Sequence, residues 1–135
     1  MITAVDSSVL WSLIKQEAGW QQWQVLLQQA STEGPLLVCP IVFAELAPSA
    51  QHEAALTGFL NRLQIAYDGL SPATAFLAGD TFRQYRLAGG PRQYLVPDFL
   101  IAAHATNQAN RLAAVDRGYL RKWFPNLVLL QPESG

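Results

Sequence analysis

The sequence predicts an α/β fold, a single domain over residues 1–135 with a central parallel sheet flanked by helices on both faces. Two observations predict it. Five short apolar runs of strand character alternate with segments of helical spacing, and such alternation points to parallel strands joined by covering helices. Half of the residues are apolar and only 14% are charged, which suits one packed core and not a disordered tail.

Residues 2–5 form the first strand. Ser7 or Ser8 caps a helix through Val9, Leu10, Leu13 and Ile14, and Gly19 breaks it. A second helix covers about residues 20–29 and places Trp20, Trp23 and Leu27 on one face. Residues 36–39 form the next strand. Pro40 suits the first turn of a short helix holding Val42, Phe43, Glu45 and Leu46, which Pro48 stops. Ala54, Ala55, Phe59 and Leu63 mark a fourth helix, followed by a strand at 64–67. Ser71-Pro72 opens a long helix through Phe76, Leu77, Phe82 and Tyr85, and Gly89-Gly90-Pro91 ends it in a loop. Pro97-Asp98 opens another through Leu100, Ile101, Ala105 and Ala109. Strands at 112–115 and 127–130 complete the set. No repeat, low-complexity segment or long linker divides the chain, and Gly89-Gly90 lacks the lysine and strand context of a phosphate-binding loop.

No apolar run approaches the ~18 residues of a membrane span. The start, Met1-Ile2-Thr3-Ala4-Val5-Asp6, has no basic region and reads as the first strand of a cytoplasmic protein. The one cysteine, Cys39, excludes an intramolecular disulfide and reads as a small buried hydrophobe. The net charge of −1 hides a segregation: residues 1–79 carry two cations and six acids, whereas residues 80–122 carry seven cations and three acids. A polyanionic partner is therefore compatible with an acidic pI. Arg83, Arg86, Arg92, Arg117 and Arg121, with Lys122, are the candidate phosphate contacts, and Arg83 and Arg86 lie three apart on one helix.

Four acids carry the chemistry. Asp6 closes the first strand, Glu45 follows the second, Asp98 opens a helix and Asp116 closes the run 112–115. In open α/β sheets, ligands sit outside the carboxyl ends of the strands, where acids from distant parts of the chain can meet. Two like charges ~5 Å apart repel by roughly 3 kcal/mol at an effective dielectric of about 20, so such a cluster calls for a cation. Hard oxygen donors suit Mg²⁺ or Mn²⁺, and carboxylate-held ions of this kind cleave phosphodiesters. Each acid has a plainer role as well. Asp6 and Asp98 suit helix caps and Asp116 suits a turn, whereas Glu45, among Ile41, Val42, Phe43, Ala44 and Leu46, calls for a partner. His104 lies six residues after Asp98, on another side of the helix, and reads as packing or a helix-surface residue rather than a partner of Asp98 on a metal. His52 stands at a helix entry without a ligand-like neighbour in sequence.

Four stretches occur in order: Val5-Asp6-Ser7-Ser8-Val9-Leu10, Phe43-Ala44-Glu45-Leu46-Ala47-Pro48, residues 96–105 around Pro97-Asp98, and Val115-Asp116-Arg117-Gly118-Tyr119. Together they resemble a PIN-domain ribonuclease of the VapC toxin type, over nearly the whole chain. The resemblance implies that Asp6, Glu45, Asp98 and Asp116 are catalytic and hold one or two Mg²⁺ or Mn²⁺ ions. It also implies an RNA substrate, a cognate antitoxin that holds the toxin inactive, and a homodimer. One departure stands out. Many relatives carry a hydroxyl residue two positions before the last acid, where this chain has Ala114; Ser7 or Ser8 is the substitute at hand.

Three other readings compete. A catalytically silent PIN-like module would bind without cleaving, and a DNA or structure-specific nuclease would use the same scaffold. A phospho-accepting receiver domain also gathers aspartates, but it pairs acids after the first strand and places a lysine after the last. Here serines follow Asp6 and no lysine follows Leu130.

Overall fold

A computed structural model describes residues 1–133. Five strands, β1 (Thr3–Val5), β2 (Leu36–Val38), β3 (Ile65–Tyr67), β4 (Arg111–Ala113) and β5 (Leu129–Leu130), form one sheet in the order β3-β2-β1-β4-β5. Every neighbouring pair is parallel, with Ala4 facing Leu37 on one side and Leu112 on the other. Six helices flank it: α1 (Ser7–Lys15), α2 (Trp20–Glu33), α3 (Pro40–Leu46), α4 (Glu53–Arg62), α5 (Pro72–Leu87) and α6 (Val96–Gln108). The chain first steps from β1 through β2 to β3, then crosses back to β4. Right-handed crossovers put connections made in opposite directions on opposite faces. The reversal lies between β1 and β4, and the carboxyl ends of those strands are where such a fold presents a ligand site.

The core is built from strand and helix residues that the apolar pattern selects. Val5, Val9, Leu10, Leu36, Val38, Leu46, Phe99, Ile101 and Leu112 are buried. Ala102 and Ala103 bring α6 close to the sheet, and Cys39 is a buried thiol whose pKa burial pushes up.

Several boundaries differ from the sequence expectation. The cap of α1 is Asp6, not a serine: its carboxylate accepts from Ser8 N at 3.3 Å. Helix α2 runs on to Glu33 because the Ser31 and Thr32 hydroxyls donate back to the Gln28 and Gln29 carbonyls, both at 2.6 Å. Strand β4 stops at Ala113, where Asp6 N donates to Ala113 O at 2.9 Å. Val115 has left the sheet and donates its N–H to Ser8 Oγ at 3.0 Å. His52 is the N-cap of α4, its Nδ1 accepting from Ala55 N at 3.1 Å. His104 is buried, and its Nε2 lies 2.8 Å from Asp68 Oδ2, which also accepts from Gln108 Nε2 at 2.9 Å.

Candidate functional site

Asp6 leaves β1 at the reversal point and is wholly buried. Position in the chain explains its orientation. As the N-cap of α1 its carboxylate turns back over the helix start, where Ser8 Oγ donates to Oδ2 at 2.5 Å. The same hydroxyl accepts from Val115 N, so Ser8 ties β1 to the chain leaving β4. Asp98 enters from the third position of α6. Its Oδ2 accepts from Leu95 N at 2.9 Å, which fixes the carboxylate at the helix entry and uses the favourable end of the helix dipole. Capping and site placement are thus compatible: the cap bonds aim both carboxylates at one place.

Arg117 joins them. Its Nε and one terminal nitrogen donate to the two Asp6 oxygens, each at 3.2 Å, and the other terminal nitrogen donates to Asp98 Oδ1 at 2.7 Å. One guanidinium therefore bridges two carboxylates from segments ninety-two positions apart in sequence. Its planar fork suits this shared contact, which a lysine point charge would not reproduce. The sequence reading had placed Arg117 among the phosphate contacts; the structure turns it inward to the acids.

Glu45 arrives from the second turn of α3. Ser7 Oγ donates to its Oε1 at 3.1 Å, which supplies the partner that its apolar neighbours demanded. Burial pushes the Glu45 carboxyl above its usual range, against the Ser7 hydrogen bond. Repulsion from Asp6 also raises it, Arg117 opposes that, and Asp98 adds further repulsion. Glu45 therefore feels both aspartates and the guanidinium that bridges them.

Asp116 does not join them here. It is exposed, its backbone adopts the left-handed region at φ 53°, and among the described residues its carboxylate has no ion-pair partner. The turn that aims Arg117 inward leaves Asp116 outward. Among the described residues no group of three or more acid, histidine or cysteine ligands is set to hold a metal ion. The donor chemistry nevertheless suits a hard cation: Asp6, Asp98 and Glu45 offer carboxylate oxygens, and a cationic side chain already bridges the first two.

Of the other predicted cations, Arg83 pairs with Asp80 at 3.0 Å and Arg86 donates to Gly90 O at 2.5 Å. Arg92, Arg121 and Lys122 are exposed. An aromatic cluster gathers the segments that carry them: the Tyr85 ring lies 5.5 Å from Trp123, 6.0 Å from Tyr94 and 5.2 Å from Phe99. Phe99 follows Asp98, so these basic segments converge on the helix that starts the acid site. Sequence reasoning missed Arg117 as the internal counter-charge and missed the Asp68–His104 pair. The only available signal for Arg117 was its place next to Asp116.

The profile of the PIN domain matches residues 3–122. The chain belongs to the PIN domain family. Solved structures with the PIN arrangement align along almost its full length. VapBC2 from Rickettsia felis, bound to a DNA fragment from its promoter, superposes with a TM-score of 0.74 at 19% identity, covering 96% of this chain and 98% of that one. VapBC-1 from nontypeable Haemophilus influenzae gives 0.71 at 16% identity, covering 97% and 98%. VapC20 from Mycobacterium tuberculosis, a Sarcin-Ricin loop cleaving toxin, gives 0.62 at 18% identity, covering 89% and 94%. No curated protein matches significantly in sequence. At these identities the likeness concerns the PIN fold.

Proposed function

We propose that this PIN-domain protein is an endoribonuclease, the toxin of a type II toxin–antitoxin pair, dependent on Mg²⁺ or Mn²⁺. The observation that carries the reading is the convergence of Asp6 and Asp98 on one guanidinium at the reversal point of the sheet, with Glu45 close enough to feel both acids. Membership of the PIN family and the superposition on VapBC assemblies support it. They also support an antitoxin as partner; a homodimer is part of the same proposal. Among the described residues no helix is long and apolar enough to cross a membrane, and we place the protein in the cytoplasm.

Asp6, Asp98 and Glu45 are the residues that would hold the ion, one or two in number, with Asp116 the further catalytic acid if its turn reorients. Bound there, Mg²⁺ or Mn²⁺ supplies polarisation of a phosphoryl oxygen and activation of water. The chain supplies the rest. Asp6 and Asp98 are held in place by the Ser8 and Leu95 bonds. Glu45, oriented by Ser7, offers its carboxylate as the acceptor for the proton of the attacking water. Ser8 stands in for the hydroxyl that Ala114 lacks, because its Oγ already reaches Asp6 and the backbone at Val115. Exposed Arg83, Arg92, Arg121 and Lys122, with Arg86, hold the phosphate backbone.

A second reading, a silent PIN-like binding module, draws on Arg117, which stands between Asp6 and Asp98, and on outward-facing Asp116. One experiment separates the two. Purified protein is incubated with single-stranded RNA and, in parallel, DNA, in Mn²⁺ or EDTA, alongside Asp98→Asn. The expected result is RNA cleavage in Mn²⁺ that EDTA abolishes and Asp98→Asn lowers by at least about a hundredfold. Unchanged cleavage by the variant would show Asp98 to be a helix cap alone. No cleavage by the natural chain in Mn²⁺ favours the silent module, and cleavage of DNA alone favours a DNA nuclease.

A further inference from the structure

A cavity of about 310 Å³ opens beside the acid site, lined by Ser8, Trp11, Glu17, Trp23 and Val115 among others. Its position follows from helix spacing. Ser8, Trp11, Ser12 and Lys15 fall at i, i+3, i+4 and i+7 and share one face of α1. Ser8 belongs to the acid site, since its hydroxyl bonds Asp6, and Trp11 is the next turn along. The cavity is therefore one helical turn from the carboxylates. Trp11 is half-buried, packed on the core on one side and open to the cavity on the other. The Lys15 ammonium lies over its ring, 4.8 Å from the centroid, a flexible cap that a stacking base would displace toward the neighbouring phosphate. At the end of α1, Gln16 adopts the left-handed region and Glu17 N donates to Ser12 O at 3.0 Å. That turn sets the exposed Glu17 side chain at the cavity rim.

We propose that this cavity is a nucleobase subsite that takes a guanine adjacent to the cleaved phosphate. The proposal rests on the endoribonuclease reading above for its strand and adds the base. Single-stranded RNA is recognised by splaying bases onto aromatic side chains and pairing their Watson–Crick edges. Trp11 supplies the stacking wall and Lys15 the charge for the neighbouring phosphate. Glu17 selects the base. An ionised carboxylate only accepts hydrogen bonds. Guanine alone presents two adjacent donors on its Watson–Crick edge, N1–H and the N2 amino group, and so pairs with both carboxylate oxygens. Adenine, cytosine and uracil each set an acceptor beside their single donor group, which a carboxylate repels.

The test is a tryptophan-fluorescence titration in EDTA, where nothing is cleaved. The probes are five-nucleotide single-stranded RNAs of uridine with G, A, C or U at the centre. The G probe is expected to bind at least about tenfold tighter than the others. Glu17→Gln should erase that preference while keeping affinity for the all-uridine strand. Trp11→Leu should weaken every probe about tenfold, and Trp11→Phe should retain most of the binding. If Trp11→Leu fails to fold, Trp11→Phe and Glu17→Gln decide alone. A preference for G that survives Glu17→Gln overturns the proposal. Affinities untouched by both positions also overturn it and leave the cavity for a protein partner's side chain. The readout is independent of catalysis. Binding of the G probe by a protein that cleaves nothing would keep the subsite and sink the nuclease reading. Cleavage without any base preference would sink the subsite alone.

Discussion

Two arginines stand at opposite ends of β4, and they carry opposite lessons. Arg111 opens the strand. Its Nε donates to Thr3 Oγ1 at 2.9 Å and a terminal nitrogen donates to Glu33 Oε2 at 3.0 Å. Arg117 lies just past the other end, on Asp6 and Asp98. The two side chains are equally buried, 13% and 12% exposed. Their partners differ. Glu33 is 44% exposed, whereas Asp6 is 0% exposed and Asp98 26%. At the Arg111 end one cation meets one acid, and the surroundings are closed: the Met1 ammonium donates to Glu33 O at 2.8 Å. A Cβ added at Gly34 would stand 2.1 Å from the Met1 carbonyl oxygen. At the Arg117 end one guanidinium bridges two carboxylates, and a third acid, Glu45, feels their repulsion from its place on Ser7. The first end is a balanced clasp. The second gathers more acids than the first, and the proposed metal ion would offset them.

The sharpest break of this comparison is removal of each arginine in turn. Arg117→Ala leaves the buried Asp6 carboxylate facing Asp98 without a counter-charge, and in EDTA it should lose about 3 kcal/mol of stability. Mn²⁺ should restore much of it, because an ion that binds only the folded state stabilises that state. Arg111→Ala should cost at most about 1 kcal/mol, since its acid is well solvated, and Mn²⁺ should not change that cost. Urea unfolding of both variants, with Mn²⁺ and with EDTA, measures the difference. Equal losses, or an Arg117→Ala loss indifferent to Mn²⁺, would reduce the second end to another clasp.

A smaller effect comes from pH. The Glu45 carboxyl is raised in the folded protein from an ordinary value of 4.5, by burial first. A raised group binds its proton more tightly folded than unfolded. Its contribution to stability is therefore full below the ordinary value and is lost as pH rises through the folded value. In EDTA the natural chain should lose stability relative to Glu45→Gln across the window above 4.5, because glutamine cannot ionise. Mn²⁺ affinity should rise across the same window as the proton leaves. Parallel stability curves for the two proteins from pH 4 to 7 would mean that neither burial nor the neighbouring acids raise the Glu45 carboxyl.

How much of this was legible in the sequence follows the range of the forces involved. Strand and helix order came from apolar periodicity, a local signal, and Pro40, Ser71-Pro72 and Pro97 marked helix starts within a residue or so. The ends that slipped were settled by contacts made at a distance or by hydroxyls. Val115 leaves the sheet for Ser8, and Ser31 and Thr32 prolong α2 by bonding back to their own helix. Asp6, Asp98 and Glu45 were legible as acids at the reversal point. The guanidinium between them was not, because a side chain adjacent to Asp116 can turn either way and its direction shows only in the bonds Arg117 makes to Asp6 and Asp98. The Asp68–His104 pair joins positions 36 apart that no spacing rule connects.

The gentlest test concerns the surface cations and asks whether the two ends differ in reach as well as in balance. Arg83 makes an exposed i,i+3 pair with Asp80, so Arg83→Ala should change stability by less than about 0.5 kcal/mol. RNA affinity is the informative readout. Each arginine that contacts a phosphate of a single strand contributes about 0.7 to the slope of log affinity against log salt. Single alanine variants of Arg83, Arg92 and Arg121 should each flatten the slope by up to that amount, because they sit on segments that converge beside Asp98. Arg111→Ala should leave it unaltered, since its guanidinium is committed to Thr3 and Glu33 at the far end of the strand. If Arg111→Ala flattens the slope as much as Arg83→Ala does, RNA does not distinguish the two ends of β4, and the substrate track belongs elsewhere on the protein.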